Sequence, residues 1–431
     1  MTTRETTMQD NRLGDFGKRM FAISGVIGIA GLAISVVIGV TSGDWQRFGR
    51  SYLTAYMFVL SLALGGFFFT ALHHVTRAGW SVVLRRISEG LASNLTWLWI
   101  FFLPIVACML WGNLYEWNDP AAIAADSGEG GTHLLAHKQP FLNPTFWIIL
   151  AVVYFVLWAM FSRFFFNNSV AQDSSGDVSL SHRMQRLAPI AIIIYAFSQS
   201  YGAIHWMMSL EPRWFSTMYP VYFFAATCCG YFSFQLICMY VLQRVGKCRD
   251  EITLEHYQDA GKLLFAFGIV FWAYIAFSQY MLIYYANIPE ETGWYLTRQI
   301  GGWGVISLLL LVGHFIGPFV ILVSKHPKRI KGMIMVIACW MLFMHYIDIY
   351  WLVMPRVPTE AIEHASTYGA LRDAAAAGTV DVGYGWHVLD LTCLVGLVGV
   401  FLAGTAWRMR DCALVPQQDP RLDESLAFEN M

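Results

Sequence analysis

Residues 332–354 read GMIMVIACWMLFMHYIDIYWLVM, a run of 23 residues without Lys, Arg or Glu whose only ionisable side chains of His or acid type are His345 and Asp348. About 20 mostly apolar residues are what a membrane-crossing helix needs, because in lipid the backbone must close its hydrogen bonds within the segment. The same pattern recurs through the chain. Apolar stretches at about 18–40, 53–72, 97–115, 145–166, 186–208, 218–244, 262–285, 298–323, 332–354 and 386–408 leave Lys and Arg to their first or last turn. The fold expected is therefore all-α and membrane-embedded, with ten transmembrane helices in a single domain over 1–431.

Composition agrees with this reading. The chain is 57% hydrophobic and 13% charged, with a mean hydropathy of +0.49, where soluble domains carry about 25% charged residues. A net charge of −1 speaks against a nucleic-acid partner. The eight cysteines are scattered without a C-x-x-C or a C-x-x-C-H haem-attachment motif, and read as small apolar packing residues. Arg4, Glu5, Asp10, Arg12 and Asp15 precede an apolar run too long for the core of a cleavable signal.

Basic residues set the expected orientation. The termini and the loops after the second, fourth, sixth and eighth stretches hold 21 of the 28 Lys and Arg residues, and the loop 325–331 (KHPKRIK) is the clearest marker. Basic loops stay in the cytoplasm, so both termini are expected inside a bacterial inner membrane. The long connections 116–144 and 355–385 are Gly/Ala-rich and low in basic charge. They are either solvated loops or surfaces for extracytoplasmic partner subunits.

A local echo links two stretches. Ala196-Phe197-Ser198-Gln199 recurs as Ala276-Phe277-Ser278-Gln279. Twelve residues after each Gln stands Glu211 or Glu291, and three further on Trp214 or Trp294. Such an echo is either a structural repeat or a coincidence in an aromatic-rich chain. Gln199 and Gln279 are expected to bond across helices. Gly25, Gly28 and Gly31, and Gly313 with Gly317, mark close helix contacts. Trp and Tyr near the stretch ends read as interfacial belts.

Ionisable side chains in hydrocarbon are costly, so each carries a functional hypothesis. His345/Asp348 and His387/Asp390 are both spaced i,i+3, which puts imidazole and carboxylate on one helix face at similar depth. Each pair is either a proton-exchanging site or a satisfied buried pair that fixes helix rotation. His314 lies mid-stretch near Pro318, and His73-His74 close the second stretch ahead of Arg85, Arg86 and Glu89. In order, His387/Asp390, His345/Asp348, His314 and His73/His74 step across the membrane like a proton relay. His205, Glu211, Gln199 and Gln279 are further polar groups towards the outer side. No stretch holds two well-separated histidines, as a membrane di-haem cytochrome would require. His133 and His137 have a helical metal spacing without Cys or acid in register. No catalytic, cofactor-binding or metal-ligating set is expected in the chain.

The segments ALHHVTRAGWSVVLRRISEGL and LWGNLYEW within 69–117, SQYMLIYYANIPEETGW at 278–294, and the HPKRIKG loop resemble the second NrfD/PsrC-like membrane subunit (ActF type) of alternative complex III. The likeness covers nearly the whole chain, and Tyr-Ala-Asn-Ile-Pro-Glu-Glu at 285–291 is its most specific fragment. It implies two four-helix bundles, spans 2–5 and 6–9, flanked by spans 1 and 10. It also implies a cofactor-free subunit of a quinol:electron-acceptor oxidoreductase that supports assembly and proton translocation. Partners would be a second NrfD-like subunit, a multihaem cytochrome c, an iron–sulfur protein and lipids. Quinol, haem c and iron–sulfur centres would lie in those partners. Two other readings stay open: a quinol-binding redox subunit, in which the resemblance would make His205, Glu211, Gln199 and Gln279 the groups facing a quinol, and a stand-alone secondary transporter.

Overall fold

The structure, a computed structural model, describes residues 11–112, 114–127, 133–356, 368–380, 382–383 and 385–430. Parts of the two long connections (128–132, 357–367, 381 and 384) and the acidic and basic residues of the first ten positions lie outside the described residues. Among the described residues the regular structure is helical, with two isolated bridges and no strand.

Nine helices among the described residues are long and apolar enough to cross a membrane: α1 (Gly14–Ser42), α2 (Trp45–Thr76), α5 (Pro144–Ser175), α6 (Val178–Leu210), α7 (Tyr219–Arg244), α8 (Leu254–Ala286), α9 (Trp303–Leu322), α10 (Lys331–Val353) and α11 (Val388–Met409). Between α2 and α5 runs a broken segment, α3 (Val82–Ala92) with its 3₁₀ extension to Thr96, then a 3₁₀ turn and α4 (Leu103–Trp111), bent by 55°. Counted as one span it makes up to ten. The stretch 97–115 is thus not one straight helix. Trp97 leaves helical geometry (φ −139°), and Pro104 has no N–H to give the carbonyl four residues back.

Side chains mark the helix ends. Asp44 caps the N–H of Arg47 at 2.8 Å, and Asn143 caps that of Phe146 at 2.9 Å just before Pro144, each satisfying an otherwise orphaned donor. Gly43 and Gly176 end α1 and α5 in the left-handed region (φ 69° and 62°), where a Cβ is penalised. Thr253 and His256 form a reciprocal capping box at the start of α8.

The ends of the described chain meet. Arg12 bridges Ala413, and Leu414 N–H donates to the Asn11 carbonyl at 2.8 Å. This terminal face also holds the start of α3, where the Ser425 hydroxyl donates to the Trp80 carbonyl at 2.6 Å. The far face carries the starts of α2 and α11 and the end of α10. In the most apolar windows, 94% of residues are buried in α2 and 78% in α7, against 17% in α1. So α2 and α7 are the core, and α1 is a peripheral helix.

Close approach explains that arrangement. A Cβ on Gly28 would stand 2.6 Å from the Val400 nitrogen, and one on Gly31 would stand 2.9 Å from Gly396; glycine there lets α1 lie directly on α11. Of the expected Gly313–Gly317 face, Gly313 meets Trp340 and Met344 of α10, whereas Gly317 approaches only its own helix.

Candidate functional site

Asp348 is wholly buried. Its two oxygens accept from the Tyr222 hydroxyl of α7 at 2.5 Å and from the Trp272 indole N–H of α8 at 3.0 Å. Both donors are neutral, and among the described residues no cation pairs with the carboxylate. Trp272 is itself held by His314 of α9, whose ring stacks on it at 3.9 Å and 7°. The other face of the arrangement is unusual. Residues Leu264–Phe271 of α8 and Leu310–Ile316 of α9 wind as π-helix, a rare geometry often found at functional sites. His314 joins these two turns through Nε2 and the Gly268 carbonyl, 3.1 Å apart.

His345 is one turn deeper on α10 and also fully buried. Its Nε2 lies 2.7 Å from the Ser61 hydroxyl of α2. The ring occupies the space left by Gly230 of α7, where a Cβ would come within 2.4 Å of it. His345 and Asp348 share a face, as their spacing predicts, but they bond to different helices and not to each other.

The second pair is built differently. Asp390 receives the Arg47 guanidinium at 2.5 Å, the Ser51 hydroxyl at 2.7 Å and the His387 backbone N–H at 2.9 Å. His387 caps α11 by accepting from Leu389 N–H at 3.2 Å. The pair is a capping box anchored on α2. Asp348 and Asp390 share no bonding partner; the nearest link is the Tyr346 hydroxyl, which donates to the Asp390 carbonyl at 3.1 Å.

Towards the terminal face lies a buried charge cluster. Arg85 pairs with Glu89 at 2.9 Å and Asp419 at 2.6 Å; Arg86 pairs with Glu89 at 3.0 Å and Asp173 at 2.8 Å. His73 takes the Arg85 N–H on Nε2 at 3.0 Å, so its Nδ1–H faces the Ser81 hydroxyl at 2.7 Å. His74 stacks on Phe165 at 5.4 Å instead of joining the cluster. Between this cluster and His345 stand Tyr231, adjacent in sequence to Gly230, and Ser88, adjacent to Glu89. Their hydroxyls are 2.6 Å apart, and Gln235 donates to Ser88 at 3.3 Å. The Tyr231–Ser88 hydroxyl pair thus joins α7 to α3, one residue along from Gly230 and Glu89 respectively.

The groups expected to face a quinol do not converge. Glu211 pairs with Arg298 at 3.2 Å, while His205 packs on Phe141 at 4.4 Å and approaches the Tyr154 hydroxyl at 3.4 Å. Gln199 donates to the Pro220 carbonyl at 3.4 Å, the cross-helix role expected of it, and Gln279 is equally buried. The echo has a spatial counterpart: Phe197 and Phe277 point outward, both glutamines point inward, and Trp214 stacks on Trp294 at 4.4 Å and 10°. Its acids diverge, since Glu211 has Arg298 and Glu291 forms no ion pair among the described residues. His133 and His137 belong to no cluster of three metal-ligating side chains; none occurs among the described residues.

Tyr222, Trp272, Arg47, Arg298, Asp173 and Asp419 escaped the reading of the sequence. Arg298 opens an apolar stretch and Arg47 lies in the connection between two, positions where a basic residue carries no sign of burial. Tyr222 and Trp272 looked like two more aromatics among 68. Compared with known proteins, the chain matches no family model and no curated protein.

Proposed function

We propose that this chain is an integral membrane subunit of a respiratory quinol:electron-acceptor oxidoreductase, and that its own contribution is to move protons through Asp348. In this reading spans 2–5 and 6–9 are two four-helix bundles, the broken segment is the third span, and both termini face the cytoplasm. A second NrfD-like subunit, a multihaem cytochrome c and an iron–sulfur protein carry the redox centres.

The observation that carries the proton role is Asp348 itself, a carboxyl buried among neutral donors. A carboxylate with a guanidinium against it is a structural ion; one held by a phenol and an indole changes the net charge of its site whenever a proton arrives or leaves. In this reading the route inward passes His345, Tyr231 and Ser88 to Glu89, and not His314 and His74. His314 braces Trp272, and His74 lies against Phe165. The steps between bonded pairs need bridging water. His345 Nδ1, Gln235 Oε1 and Thr227 Oγ1 are buried without a protein partner, and a buried water needs polar groups of this kind to bond to.

The test is the proton-to-electron stoichiometry of the intact complex in sealed vesicles. Asp348→Asn is expected to lower it while quinol oxidation continues. An unchanged stoichiometry would overturn the proton role. Purification of the chain without haem or iron–sulfur partners would overturn the assignment to such a complex.

A further inference from the structure

Asp348 is one corner of a closed circuit through three helices. The Trp340 indole N–H of α10 donates to the Gly313 carbonyl of α9 at 2.7 Å. Next along α9, His314 reaches α8 through Nε2 and the Gly268 carbonyl, 3.1 Å apart. The same imidazole lies flat on the Trp272 indole, and that indole returns to α10 by donating to Asp348 at 3.0 Å. Gly268 and Gly313 both lie in the π-helical turns. Each turn thus gives a backbone carbonyl to a side chain from the helix beside it.

What a π turn changes is bearing. It holds about one residue more than an α turn, and one residue of helix amounts to about 100° of rotation. Trp272 is the first residue after the π turn of α8, and His314 lies inside that of α9. Their parallel contact at 3.9 Å and 7° depends on both bearings. Tyr222 meets the same indole edge-on at 5.7 Å and 61°. His314 is itself badly placed to carry a proton. A carbonyl only accepts, so Nε2 bears the proton and donates to a backbone group that cannot take it up. Nδ1 is buried with no partner among the described residues.

We infer that His314 is a positioning residue for Asp348 and acts through Trp272: its flat ring holds the indole N–H on the carboxyl whether or not the carboxyl carries a proton. The outer torsion of a Trp side chain is broad and roughly two-fold. A parallel ring at van der Waals distance removes that freedom. A donor fixed in advance stabilises charge on the carboxyl without having to reorganise when the charge appears. The inference rests on the reading of Asp348 as the acid that moves protons.

The test uses the intact complex in sealed vesicles, with proton translocation and quinol oxidation followed together. His314→Phe keeps a flat ring on Trp272 and loses the bond to Gly268. His314→Gln keeps an N–H for that carbonyl and loses the ring. The Phe variant is expected to keep most of the translocation rate. The Gln variant is expected to be about tenfold slower, the rate equivalent of one charge-assisted hydrogen bond, while quinol oxidation continues. Trp272→Phe should slow translocation equally, and His314→Gln added to it should slow it no further. The infrared band of the Asp348 carboxylate, identified by its disappearance in Asp348→Asn, should shift alike in His314→Gln and Trp272→Phe. An unaltered Gln variant would leave His314 as a tie between α8 and α9, and equal losses in both His314 variants would make it a proton carrier; either overturns the inference. So would losses that add to those of Trp272→Phe. Normal translocation by Asp348→Asn would overturn the proton role alone, and the band comparison would still decide whether His314 acts on Asp348.

Discussion

Two helices of this protein carry the same His-x-x-Asp spacing at similar depth, and the structure uses them in opposite ways. At Asp390 the carboxylate meets a guanidinium, a hydroxyl and a backbone N–H. It fastens the start of α11 to α2, and its charge is matched in place. At Asp348 the carboxylate meets a phenol and an indole. Its donors satisfy hydrogen bonds but not charge. An acid buried with its counterion is an architectural element, and an acid buried without one is chemically poised. What separates them is the residue opposite: Arg47 in one case, Tyr222 and Trp272 in the other.

Thermal unfolding in detergent separates the two most strongly through Arg47. Arg47→Ala strands Asp390 as a buried carboxylate, and loss of one partner of a buried ion pair costs about 3–5 kcal/mol. A loss below about 1 kcal/mol would erase the distinction between the sites. Tyr222→Phe removes one donor from Asp348 and is expected to cost about 1.5–3 kcal/mol, the range for a hydrogen bond to a charged group. Proton transfer should fall in the same variant, because the remaining indole alone holds the acid.

Gly230→Ala drives a methyl into the His345 ring and should cost about 1–3 kcal/mol by overpacking. It should also break the Ser61 contact and slow proton movement, while Arg47 and Asp390 remain untouched. Proton movement at the unaltered rate would remove His345 from the route. Asp348→Asn is the mildest for stability, under about 1 kcal/mol, since the amide oxygen still accepts one of the two donors. A cost as large as that of Arg47→Ala would make Asp348 a structural residue like Asp390.

The echo between α6 and α8 teaches a related lesson. Its apolar and aromatic members occupy equivalent places, down to the stacked Trp214 and Trp294. Its acids do not, because only Glu211 finds an arginine, and that arginine is outside the echoed segment. Arg298 is buried, lies 3.5 Å from the centre of the Trp294 ring and reaches the Trp351 and Leu352 carbonyls at 3.2 and 3.0 Å. Packing repeats where side-chain volume repeats, whereas charge pairing depends on what a third helix brings.

Sequence alone was sufficient for the helical, apolar, membrane-type character of the chain. Hydrophobic length is a local property, and every long helix found here coincides with a stretch of that kind. It was sufficient, too, for naming His345 and Asp348 as costly residues sharing a helix face, and Asp390 as a buried acid; His387, expected in the membrane on the same face as Asp390, is the exposed cap before α11. The break at Trp97, the two π-helical turns and the burial of Arg85 and Arg86 were decided elsewhere. Each depends on neighbours distant in sequence: Asp173 and Asp419 draw the arginines inward, and His314 spans the two π turns. Which acid is matched by a cation was likewise a tertiary matter, because a charge is compensated by whatever lies opposite it in space, and Arg47 stands 343 positions away from Asp390 along the chain.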